Sequence, residues 1–350
     1  MLLKNNEVRF EEHDLFFLKK HGLKQATKLF LEHYKKTSVP FIRDTTQLSA
    51  YLGVRRKTLH NVVRCVNDHY ARIAVPKSNG GTRILYAPSS CIKEMQRSIL
   101  RHILRYIPVS HYATAYVEGR SLRDNAAPHV GKKYLLKMDI TDFFGSISFS
   151  QVLSSAFNSN YFPKQIGYLL TTICCRKDFL PQGAPTSPAL SNIVMKSFDE
   201  NIGAWCKERG ITYTRYCDDL TFSSDSELYH VFKKASAMLE EMGFEVNEKK
   251  TGFITNASRQ SVTGIVVNEK ISIPRDYKRQ LRQEVYYVLK YGLEESIMMQ
   301  GRIEFAPTDY IDGQRYLMQL IGKVDYVLSI EPDNVWFENA KQQLLNVRCW

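Results

Sequence analysis

The fold of this chain is best predicted from residues 212–222, whose sequence is T-Y-T-R-Y-C-D-D-L-T-F. Its two halves, Thr212–Tyr216 and residues 220–222, are rich in Thr, Tyr and Phe, which are favoured in strands. We therefore predict a β-hairpin whose tip carries the adjacent carboxylates of Asp218 and Asp219. Because an Asp side chain also bonds to the backbone of its own turn, the pair taken alone has a purely structural alternative.

A third carboxylate stands at the end of another predicted strand. Residues 134–138 are mostly apolar and terminate on Asp139, 79 positions before Asp218. Neighbouring strands of one sheet would bring Asp139 beside the hairpin tip, and three converging carboxylates would require a cation. Oxygen-only ligands favour Mg²⁺. Two such ions about 3.5–4 Å apart activate a 3′-hydroxyl and stabilise a leaving pyrophosphate, which is polymerase chemistry.

The composition is that of a large globular chain with a basic region. The 350 residues are 44% hydrophobic and 12% aromatic, which excludes a disordered or fibrous protein and allows two or three subdomains. Lys and Arg number 48 against 36 Asp and Glu, a net charge of +12, and residues 54–133 hold 15 of the basic and 4 of the acidic residues. Such a region favours nucleic acid as the partner, ahead of an anionic membrane surface.

The sequence also bears on where the protein is found. Its apolar runs are shorter than the roughly 18 residues of a membrane span. The stretch MLLKNNEVRFEEHDLFFLKK has Lys and Glu where a signal peptide is apolar. The seven cysteines are scattered without a C-x-x-C pair, which favours reduced thiols over a zinc site. We expect a cytoplasmic protein with no membrane partner.

The order of patterns along the chain predicts an α+β fold. Residues 77–83, K-S-N-G-G-T-R, predict a hairpin tip flanked by Lys77 and Arg83, which either closes over phosphates or is an ordinary turn. Through the middle of the chain the order is strand, helix, hairpin, helix, strand. Beyond about residue 273 the apolar positions recur at helical spacing.

Four motifs then resemble those of reverse transcriptases, in the family's order. Residues 216–219, Y-C-D-D, resemble the Y-x-D-D box, with Cys217 where Ala is often found. Residues 139–144, D-I-T-D-F-F, resemble the first aspartate motif, and residues 180–188, L-P-Q-G-A-P-T-S-P, resemble the L-P-Q-G-x-x-x-S-P motif. Residues 247–251, N-E-K-K-T, resemble the lysine motif that follows. Together they indicate a polymerase and not a turn with two acids.

Two further signatures resemble those of retron reverse transcriptases. Residues 125–129, N-A-A-P-H, match an N-A-x-x-H box, and residues 262–264 match a V-T-G triplet. They flank the polymerase motifs on either side. The resemblance covers roughly residues 45–330, and it indicates a bacterial retron enzyme.

The resemblance implies a right-hand polymerase architecture, in which the palm is an antiparallel sheet flanked by helices. The implied divisions are an N-terminal helical extension (1–50), basic fingers (51–133), a palm with the catalytic aspartates (134–260), and a helical thumb with a C-terminal RNA-recognition region (261–350).

Roles for individual residues follow from the same resemblance. Asp139, Asp218 and Asp219 are expected to be catalytic and to hold two Mg²⁺ ions, together with the backbone carbonyl of Ile140. The residues expected to bind the dNTP are Lys77, Arg83, Asp142, Phe143, Phe144, Gln182 and Lys250. The residues expected to bind template, primer or RNA are Gly183, Asn125, His129, Tyr216, Val262, Thr263, Gly264, Lys278, Arg279 and Arg282.

Three of these roles carry a physical argument. Phe144 would exclude a 2′-hydroxyl from the sugar site, because Phe143 and Phe144 cannot both face the core of an extended segment. Gly183 would permit a close approach of its backbone to the template and nascent pair. Lys250 is either a general acid for pyrophosphate departure or a solvated lysine.

The expected partners are a cognate structured retron RNA, the DNA copied from it, dNTPs and an effector protein of an antiphage defence system. The alternatives are another prokaryotic reverse transcriptase, such as a group II intron or phage-defence enzyme, and a non-catalytic RNA-binding scaffold. Residues 277–291, where Tyr alternates with Lys and Arg, predict a helix that either binds RNA or packs within the thumb.

Overall fold

The structure, a computed structural model, describes residues 39–40, 42–76, 80–299 and 310–347. Its helices are α1 (Thr45–Tyr51), α2 (Arg56–Arg64), α3 (Ser90–His102), α4 (Leu122–Ala126), α5 (Phe143–Ser146), α6 (Phe149–Ser155), α7 (Lys164–Cys174), α8 (Ser187–Val194), α9 (Lys196–Lys207), α10 (Tyr229–Glu241), α11 (Arg275–Tyr291), α12 (Leu293–Met299), α13 (Tyr310–Ile330) and α14 (Val335–Leu345). Its strands are β1 (Tyr70–Pro76), β2 (Thr82–Pro88), β3 (Tyr134–Asp139), β4 (Thr212–Tyr216), β5 (Asp219–Ser224), β6 (Gly252–Thr255), β7 (Ser261–Val262) and β8 (Ile265–Val266). The predicted α+β class is confirmed.

The chain forms two compact units, and neither is a continuous segment. The first comprises Met1–Val117, Ile140–Ile202 and Ala237–Val246, and the second comprises Glu118–Asp139, Gly203–Ser236 and Asn247–Trp350. This division differs from the contiguous boundaries predicted at residues 50, 133 and 260. Most of the predicted N-terminal extension, residues 1–38, lies outside the described residues.

The first unit contains the predicted glycine hairpin. Strands β1 and β2 are antiparallel with Pro76 opposite Thr82, and Gly80 and Gly81 directly precede β2. Gly80 and Gly81 have φ angles of 83° and 84°, a left-handed conformation that glycine adopts without steric cost. Arg83 is exposed on β2, whereas Lys77 lies outside the described residues.

The second unit is built on a four-stranded antiparallel sheet in the order β4-β5-β3-β6. Its strands alternate as period two requires. Leu136, Met138, Leu220 and Phe222 are all at most 1% exposed and share one face, because Leu136 is opposite Phe222 and Met138 is opposite Leu220. The other face of the sheet carries polar residues, among them Asp139. Because a catalytic or metal site requires polar side chains, such a site would lie on this face.

Helices α11 to α14 complete the second unit around a separate apolar core. Its centre includes Leu281, Val285, Leu320, Val324 and Phe337, all at most 2% exposed. This confirms the helical pattern predicted beyond residue 273. Within the part of the chain that the structure describes, no helix is long and apolar enough to cross a lipid bilayer.

Candidate active site

The tip of the β4–β5 hairpin is a turn of two residues. Tyr216 lies opposite Asp219, so Cys217 and Asp218 are its central residues. Cys217 has a φ of 61°, and a positive φ at the first central position is typical of the type II′ turn that joins twisted strands. The predicted hairpin and its acidic tip are thus confirmed.

A buried arginine, which the sequence did not single out, supports this turn. Arg215 is 0% exposed, and its Nη1 donates a hydrogen bond of 2.9 Å to the carbonyl oxygen of Cys217. A guanidinium is seldom buried unless its donors are used. The only signal in the sequence was a cation in the middle of an otherwise buried strand, and that signal does not say where the cation points.

Asp139 lies directly opposite Asp219 on the neighbouring strand β3. Directly opposed residues of an antiparallel pair have Cβ atoms about 4.5–5.5 Å apart. Burial, and then the charges of Asp218 and Asp139, raise the pKa of Asp219 to about 6, against the opposing effect of Lys137 and Lys250. Three acidic residues are therefore gathered at one edge of the sheet, where they repel one another.

Lys250 supplies positive charge to this cluster. Its Nζ donates a hydrogen bond of 2.7 Å to Oδ1 of Asp139, a carboxylate of which only 10% of the side chain is exposed. Among the described residues, no three His, Cys, Asp or Glu side chains are arranged as ligands of one metal ion. The donor set nevertheless fits a divalent cation, because it consists of carboxylate oxygens whose mutual repulsion such an ion would relieve. Ile140, the expected backbone ligand, is 2% exposed and pairs with Val246 in an antiparallel bridge.

The segment after Asp139 corrects one prediction. Phe143 and Phe144 open helix α5, so the segment is not extended as expected. Phe143 is 3% exposed and packs on Phe244, with ring centroids 5.9 Å apart, whereas Phe144 is half-buried. Phe143 therefore lies in the core, and its assignment to the dNTP stays a prediction. Asp142, with a φ of 41°, remains exposed just before this helix.

The backbone at Gly183 lies close to strand β2 of its own unit. A Cβ at Gly183, where φ is 122°, would lie 3.1 Å from the carbonyl oxygen of Tyr86. The neighbouring carbonyl of Gln182 accepts a hydrogen bond of 2.8 Å from the Tyr86 N–H. The guanidinium carbon of Arg176 lies 3.9 Å from the centre of the Tyr86 ring. The loop therefore lies close to strand β2 of its own unit, and the Gln182 side chain is half-buried. The approach of Gly183 to the template and nascent pair stays a prediction.

Comparisons with known proteins agree with this geometry. Residues 75–280, more than half of the chain, match the family model described as reverse transcriptase (RNA-dependent DNA polymerase). The chain is 36% identical over 268 residues to the retron Mx65 reverse transcriptase of Myxococcus xanthus, a match that covers 70% of this chain and 62% of that protein. The chain belongs to the retron-type reverse transcriptases.

A second retron relative supports the same family. This chain is 29% identical over 318 residues to the retron Ec86 reverse transcriptase of Escherichia coli, and the match covers 89% of this chain and 99% of that protein. Among solved structures, the apo telomerase of Candida tropicalis is 13% identical with a TM-score of 0.42, over 59% of this chain and 55% of the other. The mixed helical and antiparallel architecture is that of the reverse transcriptase polymerase fold.

In this reverse transcriptase the two retron signatures are largely buried. Asn125, His129 and Val262 are at most 1% exposed. Their side chains are covered by protein, and their assignment to template or RNA contact stays a prediction. Thr263 and Gly264 form the two-residue turn between β7 and β8, with φ angles of 47° and 84°, and only Gly264 is fully exposed there.

The basic helix α11 divides into residues that are paired within the protein and residues that face outward. Lys278 Nζ lies 2.7 and 3.0 Å from the carboxylate oxygens of Glu331, and the two side chains are 16% and 15% exposed. Lys278 thus forms an ion pair within the protein, and its assignment to RNA stays a prediction. Arg279 and Arg282 are exposed. Arg279 Nη2 lies 3.4 Å from Oδ1 of Asp276 at the surface, and the guanidinium carbon of Arg282 lies 5.4 Å from the centres of the Trp336 and Phe337 rings. Tyr216 is half-buried beside Asp219.

Proposed function

We propose that this reverse transcriptase is an RNA-directed DNA polymerase that copies a cognate structured non-coding RNA into RNA-linked single-stranded DNA. The observation that carries the proposal is the pairing of Asp139 with Asp219 on adjacent strands, with Asp218 at the two-residue turn beside them. Family membership supports the same reaction. Burial and the charges of the neighbouring carboxylates raise the pKa of Asp219, so a bound cation would stabilise the acidic cluster. A non-catalytic scaffold would have no need of such a cation.

Two Mg²⁺ ions are the proposed cofactors, held by Asp139, Asp218, Asp219 and the backbone carbonyl of Ile140. When bound, such ions supply Lewis-acid activation of a hydroxyl and neutralise phosphate charge. The chain's own contribution is to hold the carboxylates on one face of the sheet. Lys250, already bonded to Asp139, would donate a proton to the departing pyrophosphate.

The proposed nucleotide contacts lie among the accessible residues of the first unit. Arg83 and Asp142 are exposed, and Phe144 and Gln182 are half-buried. An exposed guanidinium matches a triphosphate in charge and geometry. We assign Phe144 to discrimination against the 2′-hydroxyl, and we retain Lys77 as a contact to phosphate on the family resemblance.

The proposed partner is the chain's own retron RNA. The exposed Arg279 and Arg282 and the turn at Gly264 are the surfaces in the second unit that we assign to it. The relatives compared are named as retron reverse transcriptases of bacteria. On that basis we also propose a bacterial cytoplasmic setting and an effector protein of a defence system as a further partner.

The direct test is Mg²⁺-dependent extension of a primer annealed to RNA. Asp218→Asn should abolish DNA synthesis while the melting temperature stays within a few degrees of wild type, because a half-buried turn residue contributes little packing. The matched control is Asp225→Asn, which removes an acidic residue just beyond the same hairpin, where it pairs with Lys132 across 3.1 Å. Asp218→Asn activity within tenfold of wild type would contradict the proposal. Sequencing the copurifying nucleic acid should yield one structured RNA joined to DNA, and a mixture of cellular RNAs would contradict the assigned partner.

A further inference from the structure

The histidine of the retron signature lies between the two strands of the catalytic hairpin. His129 is 0% exposed. Its Nδ1 lies 2.7 Å from Oγ of Ser223 on β5, and its Nε2 lies 2.9 Å from Oγ1 of Thr214 on β4. One imidazole therefore binds both strands whose turn presents Asp218 and Asp219.

The direction of these hydrogen bonds follows from the protons that are present. The single hydroxyl proton of Thr214 is donated to the backbone carbonyl of Asn125 at 3.3 Å. Thr214 must then accept from His129, which places the imidazole proton on Nε2 and leaves Nδ1 as an acceptor for the Ser223 hydroxyl. Burial lowers the pKa of His129 to about 3, so the ring is neutral, as this arrangement requires. The result is one series of hydrogen bonds that runs from the Ser223 hydroxyl through His129 and Thr214 to the backbone carbonyl of Asn125.

The bridge lies on the same face of the sheet as the carboxylates. Thr214 is opposite Thr221, and Thr221 is two residues from both Asp219 and Ser223, so all four side chains share one face. At about 3.4 Å per residue, Ser223 lies roughly 14 Å along the strand from Asp219. The imidazole thus hydrogen-bonds to a diagonal pair of residues, Thr214 on β4 and Ser223 on β5, which lie further along the strands from the acidic tip. Any shear between the two strands would break one of these two hydrogen bonds.

The same series reaches the second retron signature. Asn125 Nδ2 donates to Oγ1 of Thr263 at 3.4 Å, across 138 positions of sequence. Thr263 belongs to the β7–β8 turn, where Val262 is buried. The N-A-x-x-H and V-T-G signatures are therefore parts of one buried network, and that network ends on the catalytic hairpin.

We propose that His129 is a positioning residue, which fixes the register and orientation of the β4–β5 hairpin so that Asp218 and Asp219 stay aligned with Asp139. The inference deepens the proposed polymerase function and rests on it. An apolar side chain of similar size would fill the space, but it would supply neither bond. Buried polar bonds of this kind specify one arrangement of packed elements, whereas apolar packing tolerates sliding.

The test compares His129→Leu and His129→Gln with a variant that weakens the second unit elsewhere. Gln can donate to Thr214 and accept from Ser223, so it should restore much of what Leu loses. The control is Val324→Ala, which removes two methyl groups from a fully buried position of α13. Each variant is measured for melting temperature, for hydrogen exchange of residues 212–224, and for kcat and KM in primer extension.

We expect His129→Leu to accelerate hydrogen exchange in the hairpin by about tenfold or more, since exchange reports local opening. We expect kcat to fall by about 10–100-fold with the dNTP KM within about twofold, because a misplacement of about 1 Å at a reacting centre has an effect of that order. His129→Gln should lie between His129→Leu and wild type, and Val324→Ala should leave hairpin exchange and kcat near wild type.

Equal hairpin exchange and equal kcat in His129→Leu and Val324→Ala, compared at the same drop in melting temperature, would overturn the inference and leave His129 an ordinary core residue. A wild-type protein without DNA synthesis would instead refute the proposed function. In that case hairpin exchange still decides whether His129 positions the hairpin, because it requires no turnover.

Discussion

Lys250 Nζ donates a hydrogen bond of 2.7 Å to Oδ1 of Asp139, although the two residues are 111 positions apart. That hydrogen bond is the largest cause of the raised pKa of Lys250, so the ammonium stays charged. Asp139 is also a proposed ligand of Mg²⁺. A metal ion bound there would therefore compete with the ammonium for one carboxylate.

Lys250→Gln should show this competition in two opposite effects. The Mg²⁺ concentration that gives half-maximal activity should fall, because Asp139 no longer binds an ammonium. kcat should fall by about 100-fold or more, because a general acid has been removed. A titration of Mg²⁺ in primer extension measures both. Lys249→Gln, at the exposed neighbouring residue, is the control and should resemble wild type. An unchanged kcat in Lys250→Gln would make Lys250 a surface lysine.

The two adjacent phenylalanines should respond differently to truncation. Phe144→Ala should raise ribonucleotide incorporation relative to dNTP incorporation by about tenfold or more, with little change in stability, because its ring is only half-buried. Phe143→Ala should lower the free energy of unfolding by about 3–5 kcal/mol, because it opens a cavity against Phe244. Nucleotide competition and denaturant melts separate the two effects. A selectivity change confined to Phe143→Ala would reverse the assignment.

The outward face of α11 should contribute to RNA affinity through charge. Replacing both Arg279 and Arg282 by Ala should weaken RNA binding about tenfold and make its salt dependence shallower, because fewer counterions are released from phosphates. Filter binding across a range of KCl concentrations measures both quantities. Lys341→Ala, which removes a cation of α14 that pairs with Asp325 across 2.8 Å, is the matched control. Equal salt slopes in all three proteins would remove these arginines from the RNA interface.

The Lys278–Glu331 pair should make stability depend on acid pH. Burial alone would raise the pKa of Glu331, but hydrogen bonds from Lys278, the Ile273 N–H and Asn334 hold it below its ordinary value. A carboxylate with a lowered pKa in the folded state stabilises the protein above the ordinary pKa of about 4.3, and that contribution is lost as pH falls through the lower folded value.

Glu331→Gln should accordingly lower the melting temperature by about 2–4 °C at pH 7 and reduce its decline in acid. Thermal melts between about pH 3 and pH 7 measure the effect. The control is Glu94→Gln, where the exposed pair with Arg97 should make no difference. Plots of melting temperature against pH that coincide for wild type and Glu331→Gln would show that the pair contributes nothing.

The β4–β5 hairpin and the acidic residues at its tip were predictable from the sequence alone. Period-two alternation of Thr and Tyr before Cys217 is a local property, and the residues of a two-residue turn are its own neighbours in sequence. The glycine turn at Gly80 and Gly81 was equally predictable, since a positive φ is favoured at few residue types other than glycine. The motifs named the family for the same reason, because each is a short contiguous string.

The contacts of the retron signatures, in contrast, could be read from the tertiary structure and not from the sequence. His129 meets Ser223 and Thr214 at separations of 94 and 85 positions, and Lys278 meets Glu331 at 53. A hydrophobic pattern states how often a chain turns inward, but it does not say which distant element covers a given side chain. Polar residues that look available in the sequence are therefore buried when their hydrogen-bond partners arrive from remote segments, as happens to the histidine behind the catalytic hairpin.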